Sequence, residues 1–319
     1  MDFQRKKDSF SRADCLNLLS EEEEWWFYYA EALRTKIAHS KNRIRLNALL
    51  NAKSGLCNED CGYCAQSKKN TAEVQTYGLL SKEEILRKAE IAKKNHASVF
   101  CIATSGKRPT RKELLILGET VQEIKKKMTM EVCLSVGLVT DEQIAYLKEC
   151  GIDRLNHNLN TSKENYPSIT TTHTYQDRLD TLEKIRSHGL DRCSGFICGM
   201  GETDQQLVQL AFDLKEQAPY SVPINFLLPI KGTAFEKQNH LTPLKCLKIL
   251  TMMRLLFPTT ELRVSAGREF HLGELQPFAM LIVDSIFLGD YLTEKGASVW
   301  QDQQMLKVLG LVIEGACHE

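Results

Sequence analysis

From residue 43 onward, short runs of apolar and β-branched residues alternate with longer stretches whose apolar positions recur at helical spacing. The runs fall at 44–50, 98–103, 131–136, 154–159, 192–197, 222–228, 261–265 and 285–288, and a helical pattern follows each. Capping-box spacing marks helix starts at Ser81 with Glu84, Thr110 with Glu113, Thr140 with Gln143 and Thr203 with Gln206. Thr242 before Pro243 fits an N-cap with proline in the first helical position, and Gly151 and Gly189 stand where left-handed C-terminal caps are expected. Eight such units in a row require parallel strands and predict an α/β fold, a (β/α)₈ TIM-type barrel.

Ahead of the barrel, Trp25, Trp26, Tyr29, Ala32, Leu33 and Ile37 recur at helical spacing beside a run of four glutamates at 21–24. Residues 9–41 therefore read as one or two amphipathic helices packed on the base of the main domain. The expected division is an N-terminal helical extension, 1–42, and a barrel domain, 43–319, with no linker of Pro, Gly or Ser inside the latter.

Strands of such a barrel are ordinarily apolar on both faces. Here one parity is polar: Glu131, Cys133 and Ser135 alternate with Val132, Leu134 and Val136, and Arg263 and Ser265 with Leu262 and Val264. Asn156, Asn158 and Asn160 share one parity, and Cys101 and Asn225 lie opposite Phe100, Ile102, Ile224 and Phe226. The apolar side must meet the helices, so the polar side faces the lumen, and buried polar groups there need partners. A cavity holding polar ligands or cofactors is expected.

Charge narrows the partners. Lys and Arg number 41 against 41 Asp and Glu, so there is no electrostatic footprint for nucleic acid or an anionic membrane, and a small substrate is expected. The first eighteen residues are interrupted by Arg5, Lys6, Lys7, Asp8, Arg12 and Asp14 and hold no apolar signal region, and no run of about 18 apolar residues occurs anywhere, so a soluble, cytoplasmic protein is expected. Eleven cysteines in a long chain argue for reduced thiols that ligate or pack rather than for a disulfide framework.

Three of those thiols stand out: Cys57, Cys61 and Cys64, within eight turn-prone residues that include Asn58, Glu59 and Asp60. A closed zinc site wants a fourth ligand nearby, and residues 65–95 contain neither Cys nor His. An iron–sulfur cluster takes four ligands, so three leave one iron open to chemistry. Structural cysteines, or a zinc knuckle completed from far away, are the alternatives.

The segment around these cysteines resembles the radical S-adenosylmethionine (SAM) superfamily and, within it, the biotin synthase family. Further motifs in the same order carry the likeness across most of residues 43–291: Asn156-His157-Asn158, Thr170 to Arg178, Cys193 to Glu202, Val222 to Asn225 and Arg263 to Glu269. The resemblance implies a [4Fe-4S] cluster on Cys57, Cys61 and Cys64, with SAM chelating the open iron. Reductive cleavage of SAM then gives a 5′-deoxyadenosyl radical that abstracts hydrogen from dethiobiotin, once for each of two C–S bonds. The sulfur comes from a [2Fe-2S] cluster on Cys101, Cys133, Cys193 and Arg263, which all lie on the lumenal parity. Arginine is an unusual ligand, since its guanidinium offers no lone pair while protonated, so it deprotonates on binding or acts as a nearby charge. Cys198 and Cys246 leave a different ligand set open.

By the same resemblance Tyr63, Asn158, Asn160, Arg178, Gly199 and Glu202 serve SAM, with Arg178 suited to its carboxylate. Asn158 and Asn225 serve the substrate. Asn160 replaces the Asp of the family pattern, and Leu155 its Tyr; Asn keeps an acceptor and loses the charge. Expected partners are a flavodoxin or ferredoxin-type electron donor, iron–sulfur assembly machinery and a second copy of the chain. Another radical SAM activity, such as a hydrogenase-cofactor maturase, and a non-catalytic cluster carrier are the competing readings.

Overall fold

A computed structural model describes residues 10–20 and 24–315; Glu21–Glu23 of the glutamate run lie outside the described residues, as do the first nine residues of the segment read as lacking a signal. In chain order the elements are α1 (Arg12–Ser20), α2 (Trp25–Ser40), β1 (Arg43–Lys53), α3 (Lys82–Lys94), β2 (Val99–Thr104), α4 (Arg111–Lys127), β3 (Glu131–Ser135), α5 (Asp141–Glu149) and β4 (Arg154–Asn156). Then come α6 (Tyr166–Ile169), α7 (Tyr175–Ser187), β5 (Asp191–Cys193), β6 (Phe196–Cys198), α8 (Asp204–Glu216), β7 (Ser221–Phe226), α9 (Pro243–Leu256) and β8 (Glu261–Val264). The chain continues through α10 (Arg268–Leu272), a 3₁₀ turn (Gly273–Leu275), α11 (Gln276–Met280), β9 (Ser285–Leu288), α12 (Val299–Val308) and β10 (Val312–Ile313).

The strands pair in parallel in the order β1-β2-β3-β4-β5-β7-β8-β9, and β9 returns to β1, so the sheet closes as a (β/α)₈ barrel. All four expected capping boxes form, Thr242 accepts from the Lys245 amide, and Gly151 and Gly189 take positive φ. Thr174 with Asp177 and Ser298 with Gln301 add two more capping boxes.

Lumenal parity follows the polar pattern. Cys101 pairs with Cys133, Cys133 with Arg154, Asn156 with Cys193, Cys193 with Ser221 and Arg263 with Ser285, which puts these side chains on one face of the closed sheet. Phe100, Ile102, Val132, Leu134, Ile224, Phe226, Leu262 and Val264 instead join the two apolar clusters between barrel and helices. Cys101, Cys133 and Cys193 belong to a separate small cluster with Val99, Phe287 and Tyr291.

The structure corrects the expected strands in two places. The fourth stops at Asn156 instead of 159, and Asn160 takes a left-handed φ of 70° while bridging to Phe196. The fifth breaks at Ser194-Gly195 into β5 and β6. A Cβ on Gly195 would sit 1.8 Å from the Pro223 carbonyl oxygen, so the chain passes β7 more closely than any side chain allows.

In the extension, α1 packs on α8 and α9, and α2 runs along α9. The buried stripe of α2 is Trp25, Tyr29, Ala32 and Lys36, whereas Trp26 and Ile37, read as part of the apolar stripe, are 52% and 53% exposed. Lys36 displaces Ile37 because its ammonium finds the Arg43 carbonyl at 2.6 Å and Asp284 at 3.0 Å beneath the barrel. Among the described residues no helix is long and apolar enough to cross a membrane.

Candidate active site

At the C-terminal mouth of the barrel the chain leaves β1 into the loop that carries Cys57, Cys61 and Cys64. Backbone pairing with its own return segment closes this loop: the Cys57 amide donates to Gln66 O at 3.0 Å, and the Lys68 amide to Cys57 O at 2.9 Å. The Asn70 side-chain Nδ2 donates to the carbonyls of Cys61, Gly62 and Cys64 at 2.8 to 3.3 Å, fixing the turn between the thiols. Burial pushes the Cys64 thiol up to about 12 and raises that of Cys61.

A distant segment clamps the same loop. Asp60 accepts from the Thr170 hydroxyl at 2.7 Å, from the Thr171 amide and hydroxyl, and from the Thr172 amide and hydroxyl at 3.1 and 2.9 Å. Burial works to raise its pKa, but these donors outweigh it and hold the carboxyl well below the usual carboxylate range. Beside it, Glu59 meets His173 Nδ1 at 2.5 Å, His173 Nε2 lies 2.9 Å from Arg178 Nη2, and Arg178 Nε donates to the Tyr166 hydroxyl at 3.0 Å. A guanidinium can only donate, so His173 accepts at Nε2 and carries its proton at Nδ1, toward Glu59. Burial and the Arg178 charge lower its pKa, in keeping with that neutral form.

Below the loop opens a cavity of about 360 Å³. Cys57, Cys61, Tyr63, Cys64, Asn158, Asn160, Arg178 and Asn225 line it, eight of the residues singled out from sequence. Asn160 donates to the Tyr63 hydroxyl at 2.8 Å, Asn158 accepts from the Gly195 amide at 3.0 Å, and Asn225 braces Phe196 O and the Ala266 amide. Gly199 and Glu202 do not line it: the Glu202 carboxylate turns back onto the Gly199 and Met200 amides at 2.6 and 2.8 Å and builds the turn after β6.

Deeper in the lumen, Cys101, Cys133, Cys193 and Arg263 meet, all buried. The Cys133 thiol hydrogen-bonds both neighbours; by this bond, aided by the Arg263 charge, Cys193 is pushed down to about 5 and Cys101 is lowered, while Cys133 is raised. Arg263 Nη1 donates to Cys193 Sγ at 3.8 Å, Nη2 to Glu261 at 3.0 Å and Nε to Ser285 at 3.3 Å. Burial works against its charge, but Cys193 and Glu261 outweigh burial and hold the proton on. Cys198 and Cys246 stay away from this group, in the outer core, and burial raises both thiols.

Asn156 joins the two levels. Its amide donates to Cys193 Sγ at 3.3 Å and to Asn158 Oδ1 at 3.1 Å, and it lines the cavity with Leu49 and Phe287, which also touch the thiol group. Beneath the thiols the barrel floor is charged: Arg45 bridges Glu131 at 2.8 Å and Glu261 at 2.9 Å, and Arg154 pairs with Glu131. Sequence reading placed Asn156 and Glu131 on the lumenal parity without a role, and missed the roles of Asp60, Glu59 and His173 and the floor charges Arg45 and Arg154. The signal for the clamp was the hydroxyl run Thr170–Thr172 opposite an acidic pair; for the floor, it was charges at strand starts.

Both levels fit iron–sulfur groups chemically. Buried thiols that hold their protons become ligands when metal charge replaces the proton, and the lower trio already offers anionic sulfur beside a guanidinium. Among the described residues no three His, Cys, Asp or Glu side chains are grouped as for a single metal ion. A cluster spreads its ligands over several irons, so it makes no such demand.

The Radical SAM superfamily model matches residues 53–214, and the Biotin and Thiamin Synthesis associated domain model matches 223–312. The biotin synthase of Streptococcus agalactiae serotype V is 53% identical over 305 residues, covering 96% of this chain and 92% of its own. That of Lysinibacillus sphaericus is 48% identical over 272 residues, covering 85% and 82%. Among solved structures, methylornithine synthase aligns with a TM-score of 0.82 at 20% identity, covering 96% of this chain and 94% of that one. The hydrogenase maturase HydG from Carboxydothermus hydrogenoformans aligns at 0.83 and 20%, covering 96% and 76%; both likenesses concern the fold.

Proposed function

The chain belongs to the biotin synthase family of radical SAM enzymes, and from that membership and the two thiol levels we infer that it inserts sulfur into dethiobiotin to make biotin. The observation that carries this reading is the stacking of Cys57, Cys61 and Cys64 at the cavity mouth over Cys101, Cys133, Cys193 and Arg263 at its foot. A carrier needs one cluster site and no substrate cavity between two.

Cys57, Cys61 and Cys64 would hold a [4Fe-4S] cluster, and Cys101, Cys133, Cys193 and Arg263 a [2Fe-2S] cluster. Bound there, the first cluster with SAM supplies radical chemistry and the second supplies sulfur. The protein's part is to bind, orient and exclude water. Arg178, aimed by His173 and Tyr166, takes the carboxylate of SAM; Tyr63, Asn158 and Asn160 offer hydroxyl and amide groups to its polar parts, and Glu202 and Gly199 shape the turn at its adenine side. Asn158 and Asn225 take the ureido group of dethiobiotin, beside apolar Leu227 and Ile230 of the cavity wall. Arg263 enters as a charged donor to Cys193 and must give up a proton to serve as a nitrogen ligand.

The reading expects an electron donor of flavodoxin or ferredoxin type, iron–sulfur assembly machinery and a homodimer, with residues 43–319 acting as one barrel domain behind the 1–42 extension. Anaerobic reconstitution followed by incubation with dethiobiotin, SAM and a flavodoxin reductant tests it. Biotin and 5′-deoxyadenosine are expected; SAM cleavage that leaves dethiobiotin untouched would overturn the substrate assignment.

A further inference from the structure

Arg154 starts β4 on the lumenal face, in register with Cys133, and is 2% exposed. Its Nη2 pairs with Glu131, and its guanidinium lies 4.1 Å from the centroid of the Tyr220 ring. Nε and Nη1 are buried with no hydrogen-bond partner. Arg263 differs: its donors go to Ser285, Glu261 and Cys193.

Two unpartnered guanidinium nitrogens in a closed interior are costly, and native folds keep them only where something satisfies them. The charges point the same way. Arg45, Arg154 and Arg263 face Glu131 and Glu261 in the floor, with Glu314 3.6 Å from Arg45, and Glu131 and Glu261 are each shared between two guanidiniums, so Arg154 has no carboxylate to itself.

We propose that Arg154 is a second guanidinium of the lower site, whose Nε and Nη1 donate to the anionic sulfur of the group held by Cys101, Cys133 and Cys193. This rests on the reading of those cysteines as an iron–sulfur site. Hydrogen bonds and positive charge beside such a group stabilise its reduced state and raise its reduction potential. Arg263 ligates or pairs; Arg154 sets the electrostatic environment.

The test uses the full chain, reconstituted anaerobically, with the midpoint potential of the lower cluster and its Fe–S stretching bands by resonance Raman as readouts. Arg154→Met should lower the potential and shift the bands, Arg154→Lys should keep the potential near native, and Glu131→Gln, which removes the anion facing Arg154, should raise it. An unchanged potential in both Arg154→Met and Glu131→Gln, whatever happens to the unfolding midpoint, would leave Arg154 a floor-packing residue and overturn the proposal. Should Arg154→Met not fold, Glu131→Gln decides by the same criterion. If the native chain binds iron and sulfide only at Cys57, Cys61 and Cys64, the lower-site reading itself fails and the proposal with it, an outcome told apart by stoichiometry rather than by shifts.

Discussion

Asn156 donates its side-chain amide to the sulfur of Cys193 at 3.3 Å. Because the same nitrogen also reaches Asn158 Oδ1 at 3.1 Å, one amide ties the floor of the substrate cavity to the buried thiols. Hydrogen bonds to charged acceptors are worth about 1.5–3 kcal/mol. Asn156→Leu should therefore cut biotin formed per SAM cleaved by roughly tenfold or more, with SAM cleavage itself spared. Product ratios by mass spectrometry check this; parallel loss of both activities would refute it.

The two thiol levels predict separable lesions. Cys57→Ala should abolish SAM cleavage. Cys133→Ala should leave abortive cleavage and stop sulfur insertion, and normal biotin output from that variant would remove the lower site from the reaction.

His173 acts on Arg178 rather than on any reactant. Its loss in His173→Ala leaves a buried guanidinium N–H without its acceptor, and SAM affinity should weaken by about 1–2 kcal/mol, near tenfold. His173→Gln, which can accept from Arg178 and donate to Glu59, should recover part of it. Equilibrium dialysis with SAM measures both, and unchanged affinity in the alanine variant would end the assignment.

Asp284 anchors the extension beneath the barrel, accepting from Arg254, Lys36 and Ser40. Burial works to raise its pKa, but the Arg254 and Lys36 charges outweigh it and lower the folded value. A depressed carboxyl contributes stability in full above its unfolded pKa of about 3.9 and loses it as pH falls below. Asp284→Asn strands two buried cations and should cost about 3–5 kcal/mol at pH 7. Urea midpoints of native and variant chains should converge as pH drops below about 4; a gap independent of pH would show that charge is not the cause.

Gly195→Ala tests the broken fifth strand. The added Cβ must push β6 away from Pro223, and a loss of about 2–4 kcal/mol is expected from strain of this kind. Thermal unfolding followed by circular dichroism reads it directly.

Much of this was legible in the chain. Val132, Leu134 and Val136 announce their face because helices cover it, and Ser81 or Thr110 announce a helix start because the glutamate that completes the cap lies three residues on. What stayed hidden depends on partners far along the chain. Asp60 and Thr171 are 111 residues apart, and neither looks unusual alone. Arg192 to Ile197 reads as one strand, since the break is imposed by the approach of β7. Glu131 shows its lumenal parity, but Arg154 looks like an ordinary charge at a strand edge until closure of the barrel brings the two together.

That charged floor has a consequence for traffic. Arg45, Glu131, Arg154 and Glu261 pair with one another under the thiols and plug that end of the barrel, while the loop of Cys57, Cys61 and Cys64 stands at the opposite mouth. With the floor plugged, replacement sulfur for a consumed lower group is expected by the mouth that substrate and SAM use. The two deliveries exclude each other, and repeated cycling then waits on the clearing of the doorway.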